Sequence, residues 1–168
     1  RLASRFSFWV QLGLGTVSAI ALLFAMFSRN LTPEMNTSGV GFGIFLAIVG
    51  ILLLGFRVLW DFRYRVLGRR LQAIQPEIHP QIEDISKVLR LGLIASLVGI
   101  LIAFVASEQT VGMVLAKTLA QPRGVAVYTP ETMIRPLDVF VMLANVNLIG
   151  AHLCGAVTSL GLLNQVES

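Results

Sequence analysis

The chain has 168 residues, 55% of them hydrophobic and 13% charged, roughly half the charge of a soluble domain of this size. Four or five helical crossings of a bilayer use nearly the whole length, which excludes a separate soluble domain alongside them. The net charge of +4 comes mostly from arginines at the ends of apolar runs, where they orient helices; nucleic-acid binding is set aside.

The first element in chain order is Phe6–Ser28, a charge-free run. It is longer than the core of a signal peptide, and no small-x-small cleavage site follows it, so a mature crossing is expected over 6–28. Because the chain begins on Arg1 rather than Met, some N-terminal sequence is expected either to have been removed or to precede it.

A second charge-free window runs over 35–56. Trp60, Tyr64, Leu67, Leu71 and Ile74 then recur at steps of three and four, so the helix is expected to continue through 37–75, past the membrane. Gly39, Gly43, Ala47 and Gly50 line one side of it, a stripe that lets another helix approach closely.

After the turn QPEIHP at 75–80, Glu83 and Asp84 suit a helix start, and a third helix is expected over 81–110. Its Ile82, Ile85 and Leu89 match the stripe at the end of the second helix. The two extensions are expected to pair as a helical hairpin rising from the cytoplasmic side, the rival being a basic amphipathic helix lying on anionic lipid. Ala95, Gly99, Ala103 and Ser107 form a second small-residue stripe. Glu108 sits where this helix should leave the membrane, and 111–120 reads as an amphipathic segment with Gly112, Ala116 and Ala120 at four-residue steps.

The fourth helix, expected over 137–164, has no charged residue between Val139 and Val166 yet carries several polar ones. Projected at about 100° per residue, Asp138, Asn145, His152 and Ser159 share one wedge, while Asn147, Cys154 and Thr158 fall nearly opposite. Neither edge should face lipid, so the helix is expected to lie between protein surfaces. Three explanations of the wedge stand open. It could line a cation route, with His152 as metal ligand or proton relay and Glu108 a further ligand. It could bond between helices and fix their register. Or His152 could ligate the central metal of a porphyrin-type pigment such as chlorophyll. Cys154 reads as a buried packing residue, and the lone cysteine excludes an internal disulfide.

Nine of the thirteen Lys and Arg residues fall on one side: Arg1, Arg5, Arg57, Arg63, Arg65, Arg69, Arg70, Lys87 and Arg90. The positive-inside rule therefore places both termini and the 57–90 loop in the cytoplasm or stroma. No CxxC, HExxH, Walker-type loop or GxGxxG is present, and no nucleophile–base pair is visible, so an enzyme is not expected. The expectation is one all-α integral membrane domain over 1–168, embedded in lipid, as a homo-oligomer or as a subunit of a larger complex.

FWVQLGLGTVSAIALLF at 8–24, QTVGMVLAKTLA at 109–120 and LDVFVMLANVNLIGAHLCGAVTSLGLL at 137–163 resemble, in collinear order, the small chloroplast inner-envelope family described both as a Tic translocon component and as "permease in chloroplasts". The resemblance implies a four-helix protein of a plastid inner envelope or of a cyanobacterial thylakoid or plasma membrane. It implies either iron permeation, with iron as substrate, or a part in protein import. The alternative is an accessory, assembly or scaffold subunit of a larger photosynthetic-membrane complex with no transport of its own. The family supplies no settled ligand set, so Glu108, Asp138, Asn145 and His152 rest on chemistry alone.

Overall fold

The computed structural model describes residues 2–31, 38–74, 82–120 and 134–167. They form four helices, α1 (Leu2–Leu31), α2 (Ser38–Ile74), α3 (Ile82–Ala120) and α4 (Pro136–Glu167), with no strand among the described residues. Each contains a stretch long and apolar enough to cross a membrane: Phe6–Ser28, Gly41–Trp60, Ser86–Ala120 and Pro136–Gln165. The all-α membrane fold expected from the sequence is the fold observed.

Helices α2 and α3 have 37 and 39 residues. At 1.5 Å per residue that is about 55 and 58 Å, against a hydrocarbon core of roughly 30 Å, so both outrun the membrane. The turn at 75–81, including His79, lies outside the described residues, as do the side chains expected to zip the hairpin: Tyr64, Leu67, Leu71, Ile74, Ile82 and Ile85. Residues 111–120 differ from the expectation of a separate amphipathic segment, because they continue α3 without a break. VGMVLAKTLA has no proline to stop a helix, and Met113 and Lys117, one turn apart, lie toward the bundle while Gly112, Ala116 and Ala120 face outward.

The helices meet in a seven-residue rhythm. Gly43 of α2 packs by Val141 of α4, Gly50 by Leu148, and Arg57 by Gly155, so α2 and α4 run in the same direction in constant register. On α3 the order is reversed: Thr110 lies by Gly43, Gly99 by His152, and Gly92 by Ser159. Helix α1 is also antiparallel to α4, with Ser18 bonded at Ala144, Leu14 against Gly150, and Ser7 bonded at Cys154. Successive helices thus alternate in direction, and the first and last described residues lie at the same end of the bundle. A repeat of seven holds one face of a helix against a near-parallel neighbour.

Alanines fill much of the interior, with a few larger residues among them. One cluster joins Ala21, Ala25, Ala47, Ala144 and Val141, and a second joins Leu54, Ala103, Leu148 and Ala151. Most of the large side chains point out: Phe24, Leu52, Leu101, Phe104 and Leu153 are all exposed. This inverts a soluble protein for a physical reason. Lipid tails are as apolar as leucine, so helices associate through close packing and polar contacts instead of by hiding apolar bulk. Gly15 packs on Leu54, and that antiparallel register brings Trp9 and Trp60 level with each other near one end of the apolar spans, where indole rings favour the headgroup boundary.

Candidate functional site

Helix α4 carries the polar core. Asp138, Asn145, His152 and Ser159 are all buried, one every second turn, and the last two face α2 and α3. The opposite edge of the helix meets α1. There Ser7 Oγ donates to the Cys154 carbonyl at 3.2 Å and Ser18 Oγ to the Ala144 carbonyl at 3.0 Å. Asn147, Cys154 and Thr158 on that edge are half-buried, and Thr158 Oγ1 donates back to the Cys154 carbonyl at 2.8 Å. Protein therefore covers α4 on both polar edges.

Each member of the buried stripe has a distinct environment. Asp138 lies in the first turn, where Oδ2 accepts from the Arg135 amide at 3.1 Å and from Lys117 Nζ at 2.6 Å. A carboxylate here satisfies an orphan helix-start amide and suits the positive end of the helix dipole. Asn145 is fully buried, and neither Oδ1 nor Nδ2 has a hydrogen-bond partner. The register places it level with Ala47 and Ala106, both fully buried.

His152 is also fully buried. Its Nε2 lies 3.2 Å from the Gly50 carbonyl; a carbonyl only accepts, so Nε2 bears the proton, and Nδ1, which has no partner, is left as an acceptor in the neutral ring. The ring lies in the notch of Gly99, where a Cβ would overlap Cε1, Nε2 and Nδ1 together.

Sequence reasoning missed Arg57. Expected among the loop cations, it instead turns its guanidinium into the bundle and is almost completely buried. Nη1 donates to the Gly92 carbonyl at 2.9 Å, and Nη2 donates to the Gly155 carbonyl at 2.6 Å and to Ser159 Oγ at 2.8 Å. A Cβ on Gly155 would sit 2.6 Å from Arg57 Cζ, so a glycine is what lets the guanidinium lie against α4. The signal was present in the sequence, because Gly43, Gly50 and Arg57 are seven apart and so share a face. Also missed were the α1 donors Ser7 and Ser18, with Gln11 Nε2 donating to Ser7 Oγ at 2.9 Å, and the buried Ser96.

The expected ligand candidates do not converge. Seven residues of helix separate successive members of the stripe by about 10.5 Å, whereas ligands of one transition-metal ion each lie about 2 Å from it. Glu108 is exposed on α3, two residues and about 200° around the helix from the buried Thr110. No group of three His, Cys, Asp or Glu among the described residues could hold a metal ion. Of the small-residue candidates, Gly43, Ala47, Gly99 and Ala103 are buried at helix contacts and Ala95 is half-buried; Gly39 lies in the first turn of α2.

The family model described as protein of unknown function DUF3611 matches residues 1–167. The chain is 33% identical over 164 residues to "Protein TIC 21, chloroplastic" of Arabidopsis thaliana, a match covering 95% of this chain and 53% of that protein; the chain thus spans about half the length of the curated relative it matches. No solved structure matches. With four membrane-length helices and a family model that matches it over nearly its whole length, and with its similarity to the chloroplast protein TIC 21, the chain belongs to the DUF3611 family.

Proposed function

We propose that the chain is a membrane-embedded subunit of an import assembly, acting through its helices as a scaffold. The observation that carries this reading is the state of the polar stripe. Lys117 sits on Asp138 at one end of it, and the Arg57 guanidinium sits against Ser159 at the other. At one end the carboxylate is already held by Lys117 and at the other a guanidinium fills the stripe, so neither end offers a free anion to a passing cation, whereas both contacts serve well as interhelical fasteners. The Arg and Lys bias supports a cytoplasmic or stromal location for both termini and for the 57–90 loop, in a cyanobacterial or plastid membrane.

Extraction from the native membrane in a mild detergent tests the scaffold reading. The chain is expected to come out with stoichiometric foreign subunits, and a clean homo-oligomer would sink the idea. A second reading, iron permeation, is favoured by the unpartnered His152 Nδ1 and Asn145 amide. For His152 to ligate iron, or a pigment, α2 or α3 would have to move off the ring. Iron uptake into proteoliposomes separates the two readings. Under the scaffold reading, His152→Ala and Asp138→Ala leave flux unchanged from the parent; a loss of flux in variants that still assemble favours permeation.

A further inference from the structure

Glu108 lies on the outward face of α3, in the middle of a stripe of large exposed apolar side chains. Leu101, Phe104 and Val105 precede it; Val111, Leu115 and Leu119 follow it. The hydrocarbon-facing stripe therefore continues about three turns past the carboxyl. The register gives the depth. Glu108 is nine residues before Lys117, about 13 Å along the axis, and about 7 Å below the level of Asp138. Cα–Cβ bonds tilt toward a helix N-terminus, which on α3 aims the Glu108 side chain toward the membrane centre and away from the nearer boundary. A carboxylate so placed is costly in lipid and calls for a partner from outside the bundle.

The surface beside it is shaped for a helix. One turn on, Gly112 has nothing within 4 Å of where a Cβ would stand, and a further turn on, Ala116 is exposed. Glu-x-x-x-Gly-x-x-x-Ala thus sets one acceptor beside a notch that admits a second backbone closely. A second copy of this chain does not complete the site. Of the cations whose side chains are described, Lys117 and Arg135 are nearest in depth; Lys117 is already engaged by Asp138 and Arg135 is not free, and the exposed Lys87 and Arg90 lie at the far end of α3.

We infer that the Glu108–Gly112–Ala116 face of α3 docks a transmembrane helix of a different protein that presents a lysine or arginine at the depth of Glu108. This rests on the subunit reading above and names the surface and the partner chemistry that the reading needs.

The test uses the full chain in liposomes with synthetic leucine–alanine transmembrane helices of about 20 residues, oriented with the chain and followed by energy transfer. One guest carries lysine at the Glu108 depth, one carries lysine two turns away, and one carries none. The first is expected to bind about tenfold more tightly than the others. Glu108→Leu should abolish that preference while leaving the chain's melting temperature in detergent unchanged or higher. Equal binding of the three guests overturns the inference. So does efficient Gly112→Cys cross-linking between two copies in the native membrane, which would make the face a homodimer contact. If foreign subunits co-purify but Glu108→Leu leaves them attached, the inference falls and the subunit reading stands; if the chain purifies alone, the subunit reading itself falls.

Discussion

Gly99 offers the space a side chain would fill, and His152 occupies it. The His152 ring can thus reach the Gly50 carbonyl while lying on the backbone of α3, so one residue joins three helices. Replacing Gly99 with alanine adds a methyl group where the ring already is. We expect Gly99→Ala to lower the stability of the detergent-solubilised chain by about 1–3 kcal/mol, read by thermal unfolding. Combining it with His152→Ala should cost less than the sum of the two single changes, because the clash needs both partners. Strict additivity would show that the ring does not rest on Gly99. Arg57 follows the same logic. A long cation is tolerated inside because two backbone carbonyls and a hydroxyl accept from it and a glycine makes room for it.

At the level of elements, α4 is the hub. Helix α1 is fastened to it by two serine hydroxyls that donate to helix carbonyls, with Phe24 of α1 stacked on Phe140 of α4 at 5.7 Å. Hydroxyl-to-carbonyl bonds between membrane helices contribute about 0.5–2 kcal/mol each. Ser7→Ala and Ser18→Ala should each give a small loss within that range. Because the two serines are three turns apart with no shared partner, the double variant is expected to show the sum. A double variant no weaker than either single one would mean that the two bonds are not independent, and no loss in any of the three that α1 is held by its apolar face alone. Helices α2 and α3 meet α4 differently, through glycine contacts and buried polar groups.

At the scale of the whole molecule, the four described helices alternate in direction, so Leu2 and Glu167 lie at the same end of the bundle. In a Cys154→Ala background, cysteines placed at the exposed positions Lys87 and Asn164 should react with an impermeant thiol reagent from one side of the membrane, and one at Ala120 from the other. Labelling of Lys87→Cys and Ala120→Cys from the same side would overturn the membrane-spanning arrangement of α3. The outer surface is almost wholly apolar along the spans, so Glu108 stands out as its one deeply placed carboxyl among the described residues.

The sequence by itself determined the class of the protein, because charge-free runs about 20 residues long have few other places to go than across a bilayer. The period of the polar residues on α4 likewise determined that Asp138, Asn145 and His152 share an edge, since a single helix converts spacing into direction. It could not determine what that edge meets. Arg57 at the end of an apolar run satisfies the rule for a boundary cation equally well whether its side chain reaches outward to water or inward to Gly155, and only the packing of α3 and α4 around it made inward the cheaper choice. The pairing of Asp138 with Lys117 and the outward turn of Glu108 were decided in the same way, by rotations of α3 about its own axis that no one-dimensional pattern records.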